Sequence, residues 1–209
     1  MFRKLLLIAA ATLMLASVSS VAYADPVTLA QGQSVTFNYQ TSQTGVNGTA
    51  TFTLTGNVLE ITYTNTSTSA ACTGNNCSLT GIGFNTSPNL TITSSSFSGS
   101  ESNFWSFGTN GGGLGGFELR VSGSNGVNHA LNTNETQTAQ LTFSVPGGGT
   151  PAFITIDLTQ AHFQSMPITG NSEKPTGAPI PEPATMMLLG TGLAGVAAKM
   201  RKRRNAVKE

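Results

Sequence analysis

The chain predicts an all-β fold, an antiparallel β-sandwich or jelly-roll-like domain, on three observations. Apolar residues recur at every second position in segment after segment between residues 25 and 168, which is the period of a half-buried strand. Turns rich in Gly, Asn and Ser separate those segments. None of them carries a sustained 3.6-residue period, so helices are not needed to cover the strands.

The strands follow in order. Val35, Phe37 and Tyr39 form the first apolar stripe, then Ala50, Phe52 and Leu54, then Leu59, Ile61 and Tyr63. Phe117, Leu119 and Val121 come next, followed by Leu141, Phe143 and Val145, and by Ile154, Ile156 and Leu158. Gly56-Asn57 has the chemistry of a two-residue hairpin loop. Pairing Thr55 with Val58 then sets Leu54 opposite Leu59, Phe52 opposite Ile61 and Ala50 opposite Tyr63. All six fall on one face, and a slip of one residue would put one strand's apolar set in water. The opposite faces are mostly Thr and Ser, with few charges to keep edges apart. Either the edges are covered or the hydroxyl surface is dressed with sugar. Glycosylation acceptor triplets begin at Asn47, Asn65, Asn76, Asn85, Asn89 and Asn134, although a chain of this composition produces such triplets by chance.

A length of 209 residues suits one domain of ordinary size. Charged residues make up 9%, against about 25% in an average domain, and the basic ones cluster at the ends. Between the ends only Arg120 and Lys174 face Asp25, Glu60, Glu101, Glu118, Glu135, Asp157 and Glu173. A mildly acidic body has no electrostatic reason to bind nucleic acid. At the start, Arg3 and Lys4, the apolar stretch Leu5 to Ala16 and the small residues Ala22 and Ala24 have the order of a secretory signal peptide over residues 1–24, cut by signal peptidase. Export places Cys72 and Cys77 in an oxidising compartment, which favours a disulfide over a free thiol pair. Zinc would need four ligands, and His129 and His162 are both distant in sequence.

Motifs for catalysis fail on context. Gly111 to Gly116 fits G-x-G-x-x-G, but the alternating Phe117 to Val121 follows where a helix N-terminus would be required, so it reads as a flexible loop. The aspartate of a calcium-binding glycine-rich repeat is absent. No nucleophile elbow and no H-E-x-x-H occurs. Glu118, Glu135 and Asp157 could supply paired carboxylates, yet no spacing favours a pair. The expectation is a chain that is not an enzyme and needs no cofactor or metal. Phe104, Trp105 and Phe107 form the aromatic cluster. Burial is the default for such rings, whereas an exposed Trp105 would be a candidate glycan contact.

The tail has its own organisation. Pro167, Pro175, Pro179, Pro181 and Pro183 with Gly170 and Gly177 make residues 169–180 an expected extended linker after a domain over residues 25–168. Ala184 to Ala198 is apolar and uncharged, about 22 Å long as a helix at 1.5 Å per residue, a transmembrane candidate if flanking residues extend it. Lys199, Arg201, Lys202, Arg203 and Arg204 then form a cytoplasmic stop under the positive-inside rule, which leaves the body outside.

The order Pro181-Glu182-Pro183, apolar helix, basic cluster over residues 181–205 closely resembles the PEP-CTERM sorting signal of Gram-negative bacteria. The stretch "SLTGIGFNTSPNL" is similar to small Thr/Ser-rich members of that group, of the cistern type. The resemblance implies recognition of Pro181, Glu182 and Pro183 by an integral-membrane exosortase that carries the cysteine chemistry itself. It further implies processing, a transient membrane anchor, release to the outer surface or the extracellular medium, an exopolysaccharide-producing habitat with biofilm, and frequent glycosylation. The expectation is thus an exported, non-enzymatic surface or matrix protein. The alternative is a carbohydrate-binding or adhesive module.

Overall fold

The computed structural model describes residues 26–109, 113–121, 127–166 and 170–180. These residues form eleven strands and one short 3-10 turn, with no α-helix among them. The strands are β1 (Val27–Ala30), β2 (Ser34–Gln40), β3 (Asn47–Thr55), β4 (Val58–Asn65), β5 (Ser78–Ser87) and β6 (Thr91–Gly99). After them come β7 (Trp105–Thr109), β8 (Phe117–Val121), β9 (Thr136–Ser144), β10 (Phe153–Gln164) and β11 (Ala178–Pro179). All pairings are antiparallel: one sheet runs β1-β10-β5-β8-β7, the other β11-β2-β3-β4-β9-β6. The all-β expectation holds, and the apolar faces of the two sheets share one core. Phe52 of β3 meets Phe84 of β5 edge-on at 5.3 Å, and Tyr63 of β4 lies 4.9 Å from Trp105 of β7. Each such contact adds about 0.5–1.5 kcal/mol beyond the area it buries.

The β3–β4 hairpin pairs in the register that alternation requires, with Thr55 opposite Val58, Leu54 opposite Leu59, Phe52 opposite Ile61 and Ala50 opposite Tyr63. Gly56 takes a positive φ of 59°, which suits the first loop position of a tight hairpin. Gln31 clamps this tip: its side chain accepts from the Gly56 N–H at 2.7 Å and donates to the Gly56 and Pro151 carbonyls at 3.0 and 2.7 Å. The Cys72–Cys77 disulfide is formed. Asn65 joins that loop to the end of β4 by donating to the Cys77 and Leu131 carbonyls, both at 2.8 Å, and accepting from Ser67 N–H at 3.1 Å. It is wholly buried, so this acceptor triplet is closed to glycosylation in the folded state.

Three expectations change. Leu158 does not continue the inward stripe of Ile154 and Ile156. A bulge at Asp157 inserts one residue into β10, after which Thr159, Ala161 and Phe163 face the core and Leu158 is only half-buried; an extra residue reverses the side-chain alternation. The glycine loop before β8 is not free along its described part, because Leu114 is buried against the outer face of the five-stranded sheet. It lies over Gly81 and Gly83, where a Cβ would overlap it. The third change concerns the presumed linker. Phe163 and Glu173 exchange both backbone hydrogen bonds, at 2.9 and 3.0 Å, Ala161 N–H donates to Pro175 O at 3.1 Å, and Gly177 N–H to Thr159 O at 2.9 Å. Ala178 and Pro179 then pair with Asn38 and Phe37 of β2. Prolines are tolerated here because an edge segment needs donors on one side only, and Pro175 contributes a carbonyl.

Candidate functional site

Three places in the described residues bear on function: the C-terminal strap, the outer face of the six-stranded sheet, and the polar groups on the outer side of the five-stranded sheet. The strap, residues 173–179, follows from the length of β10. Its first residues pair with β1, while Thr159 to Phe163 have the same edge unoccupied until the chain returns. At Gly177 the strap passes from one sheet edge to the other. A Cβ there would collide with the Thr159 hydroxyl and come within 2.7 Å of Tyr39 Cε1 and 3.1 Å of Phe37 Cβ. Burial against this crossing holds the Tyr39 phenol well above its usual pKa range. The Glu173 carboxylate accepts from Ser42 N–H at 2.7 Å and from the Ser42 hydroxyl at 2.5 Å, fixing the strap's start. The strap ends at Pro179, two residues before Pro181, and the intervening Ile180 is 47% exposed.

On the outer face of the six-stranded sheet, register aligns hydroxyls that the sequence scatters. Thr36, Thr51, Thr62, Thr138 and Ser98 form one row across β2, β3, β4, β9 and β6. Asn38, Thr49, Thr64 and Thr136 form a second. Neighbouring members stand about 4.7–4.9 Å apart, the strand spacing. Side-chain hydrogen bonds tie Thr36 to Thr51 at 2.8 Å, Thr62 to Thr138 at 3.0 Å and Thr64 to Thr136 at 2.8 Å. Glu60, the carboxylate on this face, accepts from Gln140 Nε2 at 2.9 Å. The surface is therefore dense in hydroxyl groups and almost without charge.

The aromatic cluster divides. Trp105 is 4% exposed, packs on Tyr63 and donates its Nε1–H to His129 O at 3.2 Å. It offers no free ring face to a sugar, which corrects its candidacy as a glycan contact; alternation in β7 turns it inward. Phe104, 40% exposed, stacks on the His129 ring at 3.4 Å, and His129 Nδ1 lies 3.0 Å from Glu101. Glu118 is fully buried beneath the glycine loop, accepting from Leu114 N–H at 2.9 Å with Arg120 3.6 Å away. Asp157 sits at the β10 bulge, and Glu135 accepts from Asn132 N–H at 2.7 Å ahead of β9. The three carboxylates thus stand on separate segments of the fold. His162 Nδ1 lies 3.1 Å from the Thr80 hydroxyl. Burial lowers its pKa, Lys174 lowers it further, and Glu118 pulls the other way. Among the described residues no group of three or more His, Cys, Asp or Glu could hold a metal ion.

The remaining sequence-derived sites, Ala22, Ala24, Pro181, Glu182, Pro183, Lys199, Arg201, Lys202, Arg203 and Arg204, lie outside the described residues. So does the expected membrane span, and no helix among the described residues is long and apolar enough to cross a membrane.

A compact antiparallel β-body followed directly by a Pro-Glu-Pro tail, an apolar run and a basic cluster defines an exported chain with a C-terminal sorting signal. Residues 179–204 match the PEP-CTERM protein-sorting motif. The chain thus carries a PEP-CTERM sorting motif at residues 179–204, and that motif implies exosortase-dependent sorting of an exported protein at the membrane of a Gram-negative bacterium. No curated protein and no solved structure matches the chain.

Proposed function

We propose that this chain is a non-enzymatic exported protein of the cell surface or extracellular matrix. Signal peptidase removes residues 1–24, exosortase cuts near Pro181-Glu182-Pro183, and the released β-sandwich associates with exopolysaccharide in a biofilm. The observation that carries the reading is the sorting motif over residues 179–204. Its Pro-Glu-Pro segment combines one charge with two fixed backbone angles, and the apolar run with its basic cluster would hold that segment at the membrane face until cutting. The strand orders β1-β10-β5-β8 and β4-β9-β6 support a jelly-roll-like description of the body.

The test is intact-mass and C-terminal peptide analysis of the native protein from membrane and extracellular fractions, beside a variant with Pro181, Glu182 and Pro183 changed to alanine. The expected result is a native C-terminus near the motif and a variant that retains Lys199 to Glu209. Retention of that tail in both would reduce it to an anchor.

The hydroxyl face favours a second reading, a carbohydrate-binding or adhesive module. A nearly uncharged surface of aligned Thr and Ser suits hydrogen bonding to a neutral hydroxylated polymer better than to an ionic partner. Pull-down with the producing strain's polysaccharide should be lost in Thr51→Lys/Thr62→Lys. Undiminished binding would move the contact off this face.

A further inference from the structure

The sorting signal starts where the fold has not yet ended. The motif spans residues 179–204, Pro179 is paired with Phe37, and only Ile180 separates that last paired residue from Pro181. An enzyme that binds an extended peptide usually grips backbone on both sides of the recognised residues, as strand-adding partners do. With the strap in place, the backbone before Ile180 is already committed to the edges of two sheets. Its groups are held by Phe163, Ala161 and Thr159 on one side and by β2 on the other.

We propose that the exosortase substrate is the strap-released segment Asn171–Pro183, and that pairing of the strap with β10 and β2 withholds the sorting motif until it peels away. This rests on the proposed processing at Pro181-Glu182-Pro183. The strap has the features of a locally detachable element. It is short, it lies at an edge, and its β11 portion is two residues long. Such segments open without unfolding the rest. Peeling back to Asn171 frees nine further residues, about 30 Å of extended chain at ~3.3 Å each. The core then stays closed on its remaining strands. Gly177 sets how firmly the strap seats, because the crossing between Thr159 and Tyr39 has no room for a side chain. The Glu173 carboxylate on Ser42 is the last side-chain tie that peeling back to Asn171 breaks.

A locked strap tests this directly in the full-length chain, expressed in a host that performs PEP-CTERM sorting. Ala178→Cys with Asn38→Cys places two thiols at directly paired positions of β11 and β2 in the oxidising compartment. Processing, followed by intact mass over time, should slow at least about tenfold and recover on mild reduction, while the parent chain is unaffected by the same reductant. Gly177→Val, which cannot seat, should be processed faster than the parent. Hydrogen exchange of the parent gives an independent readout. The Ala161, Phe163 and Gly177 amides should exchange about a hundredfold faster than those of Phe52 and Ile61, as expected of an edge that opens on its own. Equal processing of locked and parent chains, or strap amides as slow as the core, would overturn the proposal while leaving the sorting reading intact. A parent whose tail is never removed, and is indifferent to alanines at Pro181, Glu182 and Pro183, would overturn both.

Discussion

Phe52→Ala separates the inward from the outward face of β3 most sharply. Phe52 is wholly buried, meeting Phe37 edge-on at 5.6 Å and Phe84 at 5.3 Å, one ring on its own sheet and one on the other. A phenylalanine of this kind buries about 150–250 Å². At ~25 cal/mol per Å², with the cavity left between two sheets that cannot collapse fully, truncation costs about 4 kcal/mol. For a body of this size that lowers Tm by roughly 12 °C. Thr51, one residue earlier, points outward, and its hydroxyl shares a 2.8 Å bond with Thr36 at the half-exposed surface. Thr51→Ala therefore costs about 0.5–1 kcal/mol. Equilibrium urea unfolding of the domain through Ile180, followed by Trp105 fluorescence and circular dichroism, measures both. If Thr51→Ala costs as much as Phe52→Ala, or Phe52→Ala costs less than about 1 kcal/mol, then the assigned facing of β3 is wrong.

Other perturbations act elsewhere in the body. His162 has a folded-state pKa below its unfolded value of about 6.5, so the unfolded chain takes up its proton first. Stability should fall as pH drops from about 6.5 through the folded pKa and level off below it, and His162→Gln should flatten that part of a Tm-versus-pH curve. Gly83→Ala would drive a methyl group into Leu114, costing about 1–3 kcal/mol of strain. Proteolysis within the lifted glycine loop should accelerate, and unchanged cleavage would count against the packed loop. Replacing Cys72 and Cys77 by serine opens a loop of sequence separation 5. The chain-entropy estimate for so short a loop is about 2 kcal/mol, to be read as a lower urea midpoint with the m-value kept.

Alternation carried the β-fold and, with the Gly56-Asn57 turn, the hairpin register, because burial on one side of a pleated strand writes itself into every second residue. The three-part order of the tail, Pro-Glu-Pro, apolar run, basic cluster, was equally legible, since each part answers to a local requirement of membrane and enzyme. Other features depended on what lies opposite in space. Leu158 reads as core until one extra residue at Asp157 reverses the pleat. Trp105 reads as core by default with a glycan contact as the alternative, and the choice is made only when Tyr63 and the His129 carbonyl close on it. The Thr and Ser rows exist only once β2, β3, β4, β9 and β6 are set side by side, because pairing partners far apart in the chain leave no periodic trace. The strap shows the difference most clearly. Its prolines and glycines exclude a helix or a central strand and so look like free tether. An edge needs donors on one side alone, and whether an edge lies within reach is decided by the length of β10 and the position of β2, which no local stretch of sequence contains.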